Sequence, residues 1–163
     1  MVHIVGLEDT LGSHPFAEGM DPDALRTIVG CCANAVYHPG DYIFREGEAA
    51  DNFYLIRHGL VALEIHVPQG PPIVVETLEA GDIFGWSWLI PPYRWTSDAR
   101  ASEQVRLLKL DGACLRGKME SDRSLGYEIY KRFVPIMARR LASTRMRIVE
   151  LATEPAVTPR HKG

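Results

Sequence analysis

The three tryptophans of the chain, Trp86, Trp88 and Trp95, fall within ten residues of one another, with Tyr93 between them. Aromatic faces gathered this tightly either stack on a flat, apolar ligand or fill a core, and both readings stay open at this point. Gly85-Trp86-Ser87-Trp88-Leu89 begins like the nucleophile elbow of a hydrolase. It lacks the second glycine, and no acid and histidine follow in a suitable α/β order, so Ser87 is not read as a nucleophile. Cys31, Cys32 and Cys114 cannot all pair among themselves and have neither metal-ligand nor iron–sulfur spacing. They suggest a reducing, cytoplasmic setting, with Cys31-Cys32 at a buried helix end. His38, His58 and His66 lie near expected strand ends and read as solvated turn residues rather than a metal site. With no catalytic constellation among these residues, an enzyme is not expected, and neither a metal nor a cofactor is expected.

The elements around this cluster follow from periodicity. Asp21 is a plausible N-cap with Pro22 at the first helical position, and Leu25, Ile28 and Val29 mark a helical stripe. The first 34 residues therefore read as short helical pieces. From Val36 the period changes to two, through Tyr37, Tyr42, Phe44, Phe53, Leu55, Val61, Leu63, Ile65 and Val67. Each run is closed by a turn signal: Pro39-Gly40, Glu46-Gly47, His58-Gly59 or Gln69-Gly70-Pro71. Residues 73–78 form a further strand and Val105–Leu110 the last. Short strands with regular glycine punctuation predict a sandwich or barrel-like roll.

Beyond the last strand the pattern turns helical, with a short segment near Asp111–Met119 and a longer one over 124–151. Tyr130, Val134, Met137, Leu141, Thr144, Ile148 and Leu151 step by four and three, the seam a coiled-coil dimer helix needs. A second apolar line, Leu125, Ile129, Phe133 and Ile136, ends at Arg140. The helix is therefore expected to pack on its own sheet first and then project towards a partner copy. Pro135 removes a backbone donor and is expected to kink it near residue 131.

This organisation resembles the cyclic-nucleotide-binding domain of the catabolite activator and FNR-type regulators. The resemblance rests on Pro39-Gly40-Asp41-Tyr42-Ile43-Phe44-Arg45-Glu46-Gly47-Glu48, on residues 53–59, on Gly81-Asp82-Ile83-Phe84-Gly85, and on Met137-Ala138-Arg139-Arg140-Leu141 through Thr144. It implies an eight-stranded β-roll (a double-stranded β-helix or jelly roll) with short N-terminal helices and a long C-terminal helix. The expected division is an N-terminal segment 1–13, a domain 14–151 that includes the helix 124–151, and a frayed tail 152–163.

The same resemblance places a phosphate-binding cassette over 84–101. The family glutamate that binds the ribose hydroxyl falls on Trp86, and the arginine that pairs with the cyclic phosphate falls on Trp95. An arginine–phosphate pair is charge-assisted and often bidentate, whereas an indole offers one donor. Arg94 is one residue early and on a strand would face the other way, unless a bulge re-aims it. Gly85 permits close approach, and the start of the following short helix presents free N–H groups suited to an anion. The degenerate ligand site thus comprises Phe84, Gly85, Trp86, Ser87, Trp88, Leu89, Arg94, Trp95, Thr96 and Ser97. Thr144 joins it, at the position that contacts the base in the catabolite activator group.

Charge is divided along the chain. Residues 1–90 carry a balance of −10 and residues 91–163 one of +7, within a net charge of −3. A basic half can mark nucleic-acid binding. In the regulators resembled, that task falls to a helix-turn-helix after the long helix, and about twelve residues follow Leu151. DNA binding by this chain alone is therefore not expected. Nor is a membrane span or a secretory signal. The expected function is a stand-alone sensor or regulatory domain, dimeric through the long helix, signalling to an unknown protein partner. It would bind a non-standard small molecule (an aromatic or apolar compound) or a cyclic nucleotide only weakly. The alternative is a ligandless interaction domain whose pocket is filled by Trp86, Trp88 and Trp95.

Overall fold

The computed structural model describes residues 3–155, with side chains from residue 6 onward, so most of the expected tail 152–163 lies outside the described residues. Helix α1 spans His3–Gly12 and α2 spans Pro22–Val29. Asp21 caps α2, its carboxylate accepting from the N–H groups of Asp23 and Ala24, and Pro22 opens the first turn. Eight strands follow: β1 Cys32–Tyr37, β2 Tyr42–Phe44, β3 Asn52–His58, β4 Val61–Ile65, β5 Ile73–Leu78, β6 Ile83–Phe84, β7 Asp98–Ala101 and β8 Val105–Asp111. Helix α3, Gly112–Ser121, is capped by Asp111, and α4 spans Arg123–Thr153.

The strands form two four-stranded antiparallel sheets, ordered β1-β8-β3-β6 and β2-β7-β4-β5. This is the mainly-β architecture with flanking helices that the turn pattern predicts. Strand β1 begins at Cys32, four residues before the period-two pattern becomes visible at Val36. It is an edge strand whose Ala33 and Asn34 face solvent, so no alternation of hydrophobicity marks its start. Glycine is needed at the β3–β4 turn: Gly59 has φ of +93°, and a Cβ there would lie 2.4 Å from the Gln104 carbonyl oxygen.

Alternation along β3 separates two cores. Tyr54 and Ile56 point into the roll, where they meet Phe44, Val61, Leu78, Phe84, Trp95, Ala99, Ala101, Val105 and Leu107. Phe53, on the opposite face, packs edge-on with Phe16 and stacks on Trp88 at 4.7 Å.

A reducing reading of the cysteines has no place for a disulfide, and the structure corrects it. Cys31 and Cys114 are bonded, with Cα atoms 5.9 Å apart, and Cys32 is the free thiol. Two residues 83 apart in sequence reach bonding distance because β8 returns beside β1 and delivers α3 to the end of α2. Spacing alone carries no trace of that return.

The chain divides into two compact units, Met1–Glu128 and Ile129–Gly163. In the second unit α4 is helical across Pro135. Ile129 and Phe133 are buried, whereas Tyr130, Val134, Leu141, Ile148 and Leu151 of the seam are about half exposed. Among the described residues no helix is long and apolar enough to cross a membrane.

Candidate ligand site of the β-roll

The cassette segment is built from its backbone outward. Strand β6 ends at Phe84, Gly85 adopts φ of +88°, and Trp86–Leu89 form one short 3-10 turn. Pro91–Pro92 is a cis bond and Tyr93 has φ of +56°. Residues 93–95 are then fixed against the turn after β2. Gly47 N–H donates to Trp95 O at 2.9 Å, Trp95 N–H to Glu48 O at 3.0 Å, and Ala50 N–H to Tyr93 O at 2.8 Å.

That backbone decides which side chain enters the roll. Trp95 does, with 5% exposure, and its indole stacks on Phe44 at 3.7 Å between centroids and 8° between planes. The far edge of the indole closes on Gly85, where a Cβ would lie 3.0 Å from Cη2 and 3.2 Å from Cζ3. The close approach that Gly85 allows is therefore taken up by the chain's own tryptophan. Arg94 lies on the surface, donating from Nη1 to Gly47 O at 3.2 Å.

The remaining members of the predicted site are dispersed. Phe84 belongs to the roll interior, 6.0 Å from Phe44 and stacked on Tyr54 at 5.0 Å. Trp88 is fully buried on the other side of the first sheet, against Phe53. Ser87 is buried, Trp86 and Leu89 are half-buried, Ser97 is half-buried and Thr96 is exposed. The three tryptophans thus occupy three different environments, and only Trp95 lies in the interior of the roll. Thr144 is exposed in the second unit, its hydroxyl donating to Arg140 O at 2.9 Å.

The interior cluster is hydrophobic throughout. Its hydroxyl-bearing member is Tyr54, and burial, reinforced by the neighbouring Tyr37, pushes that phenol above its ordinary range and keeps it neutral. A phosphate placed among these side chains would lose its hydration, and among the described residues no buried cationic side chain is present to replace it.

Sequence reasoning missed a polar cluster that braces β7, the strand that ends the cassette. Glu64 on β4 and Asp98 on β7 are opposite one another in register, and both are buried. Arg100 Nη2 lies 2.7 Å from Glu64 Oε1, as a charge contact rather than an aligned hydrogen bond. Asp98 accepts from Glu46 N–H at 2.7 Å and lies 3.5 Å from Arg45 Nε. The Arg45 guanidinium also sits 3.9 Å over the Tyr42 ring. In sequence Glu64 looks like an ordinary outward position on a half-buried strand, so nothing there signals its burial. Among the described residues no three His, Cys, Asp or Glu side chains are placed to hold a metal ion.

Residues 35–122 match the profile of the Cyclic nucleotide-binding domain. The chain belongs to that family. It is 26% identical over 145 residues to the CRP-like cAMP-activated global transcriptional regulator of Mycobacterium tuberculosis, covering 89% of this chain and 63% of the relative. The chain thus spans less than two-thirds of that regulator's length. Among solved structures, a Geobacter metallireducens protein provisionally named as cyclic nucleotide-binding is 30% identical with a TM-score of 0.74, covering 82% of this chain and 97% of that one. The sensor domain of the transcriptional regulator DNR from Pseudomonas aeruginosa shares the fold at 18% identity and a TM-score of 0.67, covering 97% of this chain and 99% of that domain.

Proposed function

We propose that this chain is a regulatory domain of the cyclic nucleotide-binding family whose roll is closed by its own tryptophan, and that it acts through protein contacts rather than by taking up a cyclic nucleotide. The supporting observation is Trp95, buried between Phe44 and Gly85 where the resemblance puts the phosphate-pairing arginine. It favours the ligandless alternative over the expected non-standard ligand, and it assigns the filling role to Trp95 alone rather than to all three tryptophans. Output runs through α4. Leu141, Ile148 and Leu151 expose apolar side chains at coiled-coil spacing, which suits a second copy of the chain. The role is signal transduction, without catalysis.

Calorimetric titration of the full chain with cyclic AMP and with cyclic GMP tests this reading. No heat of binding is expected with either nucleotide at millimolar concentration. Saturable binding at micromolar concentration would overturn it.

A further inference from the structure

Helix α3 holds two structures at once. At one side Cys114 is bonded to Cys31 just beyond α2, Asp111 N–H donates to Cys31 O at 2.8 Å, and Lys118 Nζ donates to Thr27 O at 3.0 Å. At the other side it holds the cassette. Arg116 Nη1 donates to Trp88 O at 2.7 Å, and its guanidinium lies 4.3 Å over the Tyr93 ring. Gly112 lies so close to the turn that a Cβ would meet Trp88 Cβ at 3.1 Å and Asp51 O at 3.0 Å. The sulfur link and the cassette tether are therefore two residues apart on one short helix.

We propose that the Cys31–Cys114 disulfide is a redox-sensitive clip, opened by a dithiol reductant, which sets how firmly α3 holds residues 86–94. In the exchange a thiolate of the dithiol attacks Sγ of Cys114, which is half-buried, whereas Cys31 is 7% exposed. The Cys31–Cys114 bond breaks, and Cys31 leaves as a thiolate and takes a proton. The second thiolate of the reductant attacks the mixed disulfide and releases Cys114, which takes the other proton. The dithiol is oxidised to a disulfide by two electrons and the two protein sulfurs are reduced. Cys32, next in sequence, stays out of the exchange, because burial pushes its thiol up to about 11 and keeps it protonated at neutral pH. After opening, two hydrogen bonds still link α3 to the α2 end, so the helix loosens without leaving.

The test is hydrogen exchange on the full chain, purified in air without reductant and compared before and after dithiothreitol. Thiol titration of the denatured protein is expected to count one thiol before and three after. Exchange at residues 86–94 should accelerate about ten-fold on reduction while β4 is unchanged. Cys114→Ser should show the fast exchange without reductant, and Cys32→Ser should behave as wild type. Arg116→Met should exchange fast in both redox states, because it cuts the tether and not the clip. Dithiothreitol on the wild-type chain carries the test even where a serine variant does not fold. Three thiols in protein never exposed to reductant, unchanged exchange at 86–94 on reduction, or an equal acceleration in β4 would each overturn the proposal.

Discussion

The Trp95 indole lies parallel to the Phe44 ring, 3.7 Å away inside the β-roll. The loop before β7 thus presents a flat apolar face to the chain's own core.

Truncating Trp95 to alanine removes a large buried ring and leaves a cavity, so Trp95→Ala is expected to cost about 3–5 kcal/mol in urea unfolding. Trp86, half-buried, is expected to cost about 1 kcal/mol in the same experiment. Equal losses at the two positions would contradict the separate environments of these residues.

Gly85→Ala meets two obstacles, a left-handed backbone and the edge of the Trp95 ring. The backbone term alone is about 1–2 kcal/mol. In a Trp95→Ala background only that term remains, and the double-mutant cycle is expected to give a coupling of about 1 kcal/mol. A coupling near zero would mean that the indole does not rest on Gly85.

His14 sets a pH dependence. It is buried, with Nδ1 accepting from Phe16 N–H and Nε2 donating to Ile56 O, each at 3.1 Å. Burial holds its pKa below the ordinary value of 6.5, against smaller opposing effects of the Ile56 hydrogen bond and Asp82. The neutral ring is thus the folded form. Below the unfolded value the unfolded chain binds the proton first, so stability falls as pH drops from 6.5 towards the folded pKa and is unaffected above it. Denaturation midpoints measured from pH 7.5 to 5.5 should show this slope, and His14→Ala should flatten it.

Arg100→Met strips the fully buried Glu64 of its counter-charge. The arginine side chain is 41% exposed, which screens the pair, and the expected loss is about 2–3 kcal/mol. Adding Glu64→Gln should recover part of it, read by the same urea midpoints.

Leu141→Arg places a charge in the exposed α4 seam. Light scattering should give twice the chain mass for wild type and the single-chain mass for the variant. A monomeric wild type would contradict assembly through that seam.

Local rules carried the roll into view. Gly40, Gly47, Gly59, Gly81 and Gly85 all adopt positive φ, and such turns write themselves into sequence because other residues avoid them. Asp21 with Pro22 marked α2 for the same kind of local reason. The direction of Trp95, the bond from Cys31 to Cys114 and the burial of Glu64 depend on which strands lie side by side. These are long-range facts, and a period-two pattern reads the same whether the residue opposite is a partner or solvent. The resemblance alone put the family's charged positions on Trp86 and Trp95. The interior packing around Phe44 and Gly85 shows what Trp95 does there.

The most direct measurement is a crystal structure of the chain soaked with cyclic AMP. The account predicts Trp95 still stacked on Phe44 and against Gly85, with no nucleotide inside the roll. A nucleotide seated there, with its phosphate on Gly85 and the indole swung outward, would contradict it.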